Sequence, residues 1–340
     1  MPSQHFSVAL FLAIRSIQRG NRFTFFLTVM IMGLVFVNLV FLPSIISGVV
    51  VNFNSQSINY NYGNLVIEPR ENEVYISGVS EVKQKISQIP GISGSSPRFS
   101  AGATYHYHDN QLSGQITGFN PRYEQEVTLI HTKMKDGDFL AEGDTDSIVL
   151  GTSLAGNIDE RLDQVDSLGG VTTGDSIDVT FSNGVRRTLR VKGIIESGVY
   201  SVDRTAFITL KEIESVYGLS DTATILLVKL DGDGQEDKYK RILMEYGIAE
   251  RIRTYQEKGL GFVNDAIRSF EIINAISTMV SLVIAIVVIF IVIFINTINK
   301  RRQIGILKAI GINKNIIVYS YIIQVFIIAS CGILLVLLLS

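Results

Sequence analysis

Two groups of residues have the types and spacing that metal binding requires. His106 and His108 would project from the same face of a strand and could offer two ligands. No cysteine or clearly spaced carboxylate completes that set. The second group is an acidic cluster, Asp231, Asp233, Glu236 and Asp237. It lacks the Glu that ends an EF-hand loop. We therefore expect no metal site, and we interpret the groups as a solvated strand face and a polar turn before a helix.

Motifs for catalysis are missing from the sequence. There is no G-x-x-x-x-G-K-[ST] run to cradle a nucleotide phosphate and no G-x-S-x-G elbow for a nucleophilic serine. We expect neither an enzyme nor a cofactor-binding chain. Any ATP that the function consumes must therefore be bound and hydrolysed by a separate subunit.

Residues 299–314, NKRRQIGILKAIGINK, are the segment most informative about function. After a basic start, four apolar positions are spaced to share a helical face: Ile304, Ile306, Leu307 and Ile310. Gly311 follows, and glycine commonly ends a helix. The pattern predicts a short amphipathic helix. Such a helix either lies among lipid headgroups or inserts its apolar face into a groove on a partner as a coupling element.

The elements that position this segment are long apolar runs. No charged residue lies between Arg22 and Glu68, between Glu271 and Lys300, or after Lys314. Each gap contains an apolar run long enough to cross about 30 Å of hydrocarbon. We predict three membrane-spanning helices, at about 23–47, 272–298 and 316–339. Ion-coupled carriers usually place ionisable groups at mid-membrane, and these runs contain no Asp, Glu, Lys, Arg or His, which disfavours a secondary transporter.

The charges are distributed unevenly along the chain, and the distribution predicts its orientation. Residues 51–265 carry 21 basic and 31 acidic residues, a net of −10, while the rest of the chain carries nine basic residues and one acid, Glu271. Basic residues precede the first span and fill the loop between the second and third, so the positive-inside rule places both in the cytoplasm. No basic stripe with interleaved aromatics suggests nucleic-acid binding. We expect a multi-pass protein of the cytoplasmic (inner) membrane with a cytoplasmic N-terminus.

The predicted domains follow from these patterns: a cytoplasmic amphipathic N-terminus (1–22), transmembrane helix 1 (23–47), an extracytoplasmic domain (48–265), a stalk with transmembrane helix 2 (266–298), a cytoplasmic coupling segment (299–314) and transmembrane helix 3 (315–340). A helical pattern without Pro or Gly runs from Phe262 to Thr297 and places Val263, Ile267 and Phe270 on one face. It predicts a continuous stiff helix. That helix either acts as a force-transmitting stalk or only packs on its own domain.

Strand and helix patterns alternate at both ends of the extracytoplasmic domain. The patterns indicate an α/β subdomain built from both ends, with a β-rich insertion between them. Within the insertion, Asn183-Gly184 separates two alternating runs and predicts a type I′ hairpin. The fold class is thus a helical membrane protein with a large α+β domain.

The run from Arg302 to Gly311, RQIGILKAIG, resembles the R-E-I-G-I-L-[KR]-A-[LI]-G signature of FtsX-like, MacB-type ABC transporter permeases. Residues 12–22, LAIRSIQRGNR, are similar to the same family's N-terminal motif. In the outer domain, 148–151 (IVLG), 174–175 (GD) and 191–194 (VKGI) resemble the family's MacB-like periplasmic core domain, most closely that of lipoprotein-releasing (LolC/LolE-like) permeases.

The resemblance implies a partnership with cytoplasmic ABC ATPase subunits, a dimer with a second permease copy or paralogue, and a lipid membrane around both. It implies mechanotransmission, in which ATP hydrolysis moves the outer domains to export or release lipoprotein, lipid or an amphiphilic substrate. The motif assigns ATPase coupling to these residues: Arg302, Gln303, Ile304, Gly305, Leu307, Lys308 and Gly311. We expect Ile304, Leu307 and neighbouring apolar side chains to make the apolar contact.

The chain departs from the family pattern in two places. Gln303 stands where the signature has Glu, so a salt bridge there cannot form in the same way. The family also has a fourth span, and we expect one beyond Ser340. Two other functions stay open: a membrane regulator that activates an outer-surface enzyme, and a membrane sensor or receptor.

Overall fold

The computed structural model describes residues 2–20, 22–157, 165–259 and 261–339. It divides into two compact units. The helical unit comprises Met1–Val50 and Asp265–Ser340, and the α/β unit comprises Val51–Asn264.

The helices are α1 (Pro2–Gln18), α2 (Arg22–Gln56), α3 (Val79–Ser87), α4 (Pro121–Val127), α5 (Thr152–Ala155), α6 (Tyr200–Asp203), α7 (Leu210–Tyr217), α8 (Glu236–Glu245), α9 (Tyr255–Lys258), α10 (Gly261–Asn299), α11 (Arg301–Ala309) and α12 (Lys314–Leu339). The strands are β1 (Leu65–Glu68), β2 (Ile76–Ser77), β3 (Ile92–Tyr107), β4 (Asn110–Phe119), β5 (Met134–Gly137), β6 (Ser147–Gly151), β7 (Ser176–Phe181), β8 (Arg186–Ile195), β9 (Thr205–Thr209), β10 (Thr222–Ala223), β11 (Ile225–Leu230) and β12 (Arg251–Thr254).

Among the described residues, three helices are long and apolar enough to cross a membrane: α2, α10 and α12. They coincide with the three apolar runs from which spans are predicted. α10 continues for 39 residues without a break, so the predicted long helix is confirmed. Leu260, which precedes it, lies outside the described residues.

Small residues allow close packing within the helical unit. α1 packs on α12 through Ala9 and Ala13, which are fully buried, and leaves Phe11 exposed. α2 crosses α12 at two glycines, where a Cβ on Gly332 would lie 3.0 Å from the backbone nitrogen of Gly33. Packing of this kind is typical of helices in lipid, where small residues let backbones approach closely.

The first half of the α/β unit is a four-stranded antiparallel sheet in the order β12-β1-β11-β3. In chain order the elements form two β-α-β segments, β1-α3-β3 and β11-α8-β12, the arrangement of a split βαβ fold. α3 and α8 pack over one face of the sheet through Ile86, Leu243 and their neighbours. On the other face, Val66 and Leu227 pack against Val127 of α4.

The second half of the unit is a closed ring of six strands. β3 pairs with β4, β4 with β9, β9 with β6, β6 with β8, β8 with β7, and β7 with β3 again. β3 belongs to both halves because it is 16 residues long and pairs with β11 near its start and with β7 near its end. The largest hydrophobic cluster is built mainly from these strands and includes Tyr105, Phe99 and Phe181. The predicted α/β subdomain with a β-rich insertion is confirmed.

The predicted type I′ turn at Asn183-Gly184 is wrong. That turn needs positive φ at both central residues, but Gly184 has one (φ +85°) and Asn183 does not. The Gly184 amide donates to the Phe181 carbonyl at 2.8 Å, and the Phe181 amide donates to Val185 at 2.9 Å. The hairpin β7-β8 therefore has a three-residue loop in which Gly184 takes the left-handed position that follows a type I turn.

Candidate functional site

The predicted coupling segment folds as α11, a helix of nine residues between the long helices α10 and α12. It ends in a Schellman motif: the Gly311 amide donates to Lys308, and the Ile312 amide donates to Leu307. Gly311 has φ +92°, a conformation that glycine adopts without the steric cost of a Cβ atom. The glycine therefore stops the helix and lets the chain turn into α12.

The apolar residues of α11 divide between two sides of the helix. Ile304 and Leu307 are half-buried and line a groove formed with α1 and α12. Ile306 also lines the groove but leaves 53% of its surface exposed, whereas Ile310 does not line it and is 73% exposed. The sequence places all four on one wide face. The structure shows that the two expected to make the partner contact face their own unit.

The remaining predicted coupling residues lie on the outside of α11 or at its end. Arg302, Gly305, Lys308 and Gly311 are exposed, and the side chain of Gln303 lies outside the described residues. The exposed surface of this segment is thus two isoleucines beside several cations. Ile306 and Ile310 belong to the predicted apolar face, and their spacing of four places them on neighbouring turns of the helix.

The groove between α1, α11 and α12 has a volume of about 350 Å³. A polar cluster forms one wall: the Lys300 ammonium donates to the Ser16 carbonyl (3.1 Å) and contacts the Ser16 hydroxyl, which donates to Gln324 Oε1 at 3.3 Å. Gln324 is 7% exposed. Burial lowers the pKa of Lys300 from its ordinary value. Two further cations, Arg15 and Arg19, line the same groove.

The predicted stalk residues are not near α11. Phe270 is exposed on α10, and the side chains of Val263 and Ile267 lie outside the described residues. Along α10, Phe270 and Asn299 are separated by roughly 44 Å, from a rise of 1.5 Å per residue. The chain connects the stalk positions to the coupling segment through α10 itself.

The two groups that the sequence offers as metal-ligand candidates are not arranged as metal sites among the described residues. β3 ends at Tyr107, and His108 lies in the following turn with φ +50°, so His106 and His108 do not share a strand face as predicted. Asp233 and Glu236 each accept a hydrogen bond of 2.9 Å from the Asn64 side chain, which fixes the chain just before β1. Across the described ranges there is no group of three or more His, Cys, Asp or Glu residues able to hold a metal ion.

A buried ion pair lies in the α/β unit beside a cavity of about 360 Å³. The Arg98 guanidinium donates to both carboxylate oxygens of Glu124 at 2.5 and 3.2 Å. Ser96 and Thr128 donate to the same carboxylate at 2.7 and 2.6 Å. Burial alone would raise the pKa of Glu124, but the Arg98 charge and these hydrogen bonds outweigh it and hold the pKa below its ordinary value.

Comparison with known proteins gives a family match for one part of the chain. The family described as FtsX-like permease C-terminal matches residues 275–340, which include most of α10 and all of α11 and α12. Comparison with curated proteins gives no match.

Three solved structures are similar to the chain at low identity. The extracellular domain of the noncanonic ABC-type transporter YknZ from Gram-positive bacteria is 13% identical, with a TM-score of 0.40 over 56% of this chain and 97% of its own. The periplasmic region of MacB from Actinobacillus actinomycetemcomitans is 15% identical, with a TM-score of 0.43 over 63% and 96%. A domain of a putative permease protein from Porphyromonas gingivalis is 15% identical, with a TM-score of 0.35 over 55% and 79%. The family match confirms the FtsX-like part of the resemblance drawn from the sequence: residues 275–340 match the FtsX-like permease C-terminal family.

Proposed function

We propose that this chain is the permease subunit of an ABC transporter whose ATP is bound and hydrolysed by a separate cytoplasmic subunit. The observation that carries the proposal is the FtsX-like match over residues 275–340, which contain α11 between two helices able to span a membrane. The sequence has no phosphate-binding loop of its own.

The contact with the ATPase is assigned to the exposed side of α11. Ile306 and Ile310 present apolar surface there, and Arg301, Arg302 and Lys308 surround them with positive charge. Burying one such side chain contributes about 2 kcal/mol. Two isoleucines in a groove of the partner would therefore contribute about 4 kcal/mol together, and the cations would favour an acidic rim around that groove.

Transmission across the membrane is assigned to α10. Its 39 residues make it about 58 Å long, nearly twice the roughly 30 Å of the hydrocarbon core. Neither proline nor glycine interrupts it after Gly261, so it has no built-in hinge. A stiff helix of this length can carry a displacement of α11 past the membrane surface, which is the role expected of the stalk at Val263, Ile267 and Phe270.

The substrate is proposed to be lipoprotein, lipid or another amphiphile handled on the outer side, because the spans offer no polar path. Their apolar runs contain no Asp, Glu, Lys, Arg or His. Only 6% of the most apolar 18-residue window of α10 is buried within the described chain. Such a helix must be covered by lipid or by another protein, which supports a dimer with a second permease copy or paralogue.

The orientation belongs to the same proposal: residues 48–265 face outward and α11 faces the cytoplasm, as the positive-inside rule predicts. In a Cys331→Ser background, a cysteine at exposed Glu71 should react with an impermeant maleimide in intact cells. A cysteine at exposed Arg301 should react only after the cells are opened. The reverse labelling pattern would invalidate the proposed topology.

The proposed function is tested by isolating the full chain from native membranes and identifying its partners by mass spectrometry. We expect an ABC ATPase at a stoichiometric level, together with a lipid or lipoprotein. Recovery of an outer-surface enzyme besides the ATPase would favour the regulator hypothesis. Recovery of the folded chain without any ATPase, in a detergent that preserves other ABC complexes from the same membranes, would exclude the proposal.

A further inference from the structure

The cations of the groove between α1, α11 and α12 have no acidic counterpart in the nearby sequence. Residues 1–50 and 272–340 contain no Asp or Glu, although they carry eight of the basic residues. The two acids of the helical unit, Asp265 and Glu271, are near the opposite end of α10 from Lys300. The Arg19 amide donates to the Arg15 carbonyl at 3.1 Å. Neither guanidinium makes a hydrogen bond or an ion pair with the residues that the structure describes. The positive charge of the groove must therefore be balanced from outside the chain.

The lining of the groove is amphipathic. Arg15, Arg19 and Lys300 bring the charge, and Ser320 and Tyr321 add hydroxyl groups. The rest of the lining is aliphatic: Leu12, Ile304, Ile306, Leu307 and Ile317. A ligand that satisfies both parts carries an anionic head and an apolar body.

The position of the groove limits the source of that ligand. Lys300 directly follows α10, and Ser320 and Gln324 lie in the second and third turns of α12, so the groove sits where two predicted spans leave the hydrocarbon. Basic pockets between transmembrane helices on the cytoplasmic side bind anionic lipid headgroups. A soluble anion could satisfy the cations but would leave the aliphatic wall exposed to water, at about 25 cal/mol per Å² of apolar surface.

We propose that this groove binds the phosphate of an anionic phospholipid through Arg15, Arg19 and Lys300, with the upper acyl chain against Leu307 and Ile317. Ile310 does not line this site, Ile306 lines it with only part of its surface, and lipid binding does not require an ATPase to be present. A bound lipid would hold α11 against α1 and α12. The orientation of α11 would then depend on the lipid composition of the membrane.

The test is native mass spectrometry of the full chain in neutral detergent micelles at constant salt, titrated with phosphatidylglycerol, phosphatidylcholine or inorganic phosphate. We expect saturable binding of one phosphatidylglycerol, much weaker binding of phosphatidylcholine, and no binding of inorganic phosphate at the same concentration. The triple variant Arg15→Gln, Arg19→Gln, Lys300→Gln should weaken phosphatidylglycerol binding on the order of 100-fold, from about fivefold for each cation beside an anionic lipid.

The matched control is Arg22→Gln, Arg301→Gln, Lys314→Gln, which removes the same charge from exposed residues outside the groove. Its binding should change by less than about threefold, because exposed charges are screened over about 8 Å at 0.15 M salt. Equal losses in the two triple variants would mean diffuse attraction and overturn the site, as would equal binding of inorganic phosphate.

If the groove triple variant does not fold, the single variants Arg15→Gln and Arg19→Gln, at exposed positions, are used in the same binding measurement. Each should weaken phosphatidylglycerol binding about fivefold, whereas Arg301→Gln should not. Unchanged binding in both groove variants would also overturn the proposal.

Discussion

Replacing Glu124 by Gln should destabilise the α/β unit strongly while barely changing its shape. The Glu124 side chain is 0% exposed and that of Arg98 is 7% exposed, so the guanidinium would lose its counter-charge without gaining water. Removing one partner of a buried pair costs about 3–5 kcal/mol. The Gln side chain would also turn an amide donor toward groups that now donate to the carboxylate, namely Ser96 and Thr128.

The cost should be visible in thermal unfolding. For a unit of 214 residues (51–264), each kcal/mol shifts Tm by about 2–4 °C, so a fall of roughly 6–20 °C is expected. Because the chain contains no Trp, differential scanning calorimetry of the full chain in detergent is a better assay than intrinsic tryptophan fluorescence. The control is Glu126→Gln, two residues along and exposed, which should change stability by less than about 0.5 kcal/mol.

The pH dependence supplies an independent check. The pKa of Glu124 is held below its ordinary value of 4.5, so the ionised pair stabilises the fold above pH 4.5. That stability is lost as the pH falls below 4.5 through the lower folded pKa. The Tm difference between the natural chain and Glu124→Gln should therefore shrink in acid. A Tm within 2 °C of the natural chain at pH 7, or a constant difference down to pH 3, would refute this reasoning about the pair.

Three further predictions concern other parts of the chain. Gly332→Leu should push α12 off α2 and lower the stability of the helical unit by about 1–3 kcal/mol, and the control Ile333→Leu on the exposed side should not. Burial lowers the pKa of Lys83 to about 8, so the NMR signal of the methylated Lys83 amine should titrate near pH 8 rather than 10.5; a midpoint above 10 would contradict this. Inserting Gly-Gly after Arg268 should destabilise the α10 helix by about 2 kcal/mol, keep ATPase assembly and abolish outer-side activity. Retained outer-side activity would exclude α10 as a force-transmitting stalk.

The long helices, and the strands at the two ends of the α/β unit, could be predicted because their sequence signals are local. An apolar run long enough to cross a bilayer can hardly fold as anything but a helix, and Gly311 ends α11 through a backbone conformation that its residue type favours. The prediction of a type I′ turn at Asn183-Gly184 was wrong because the local sequence alone does not determine the loop type. That dipeptide suits two kinds of hairpin loop, and the pairing of β7 with β8 decides between them.

The closed ring of strands and the groove could not be predicted, since each joins residues far apart in sequence. The ring closes where β7 pairs with β3, and β3 also joins the two halves because it is long enough to meet β11 and β7 on successive stretches. Ser16 and Gln324 are 308 positions apart. The burial of Glu124 was hidden because a charged residue in a short helix normally faces water, and only the pairing with Arg98 reverses that expectation.

The central claim is that α11 docks an ABC ATPase through its exposed isoleucines, and co-purification with two matched double variants tests it most directly. Ile306→Asp with Ile310→Asp should weaken the complex by about 4 kcal/mol, nearly 1,000-fold, and remove the ATPase from the purified chain. Asn313→Asp with Asn315→Asp adds the same charge to neighbouring exposed positions and should keep the ATPase at the natural level. Equal recovery of the ATPase with the natural chain and with the Ile306 and Ile310 variant would contradict the claim.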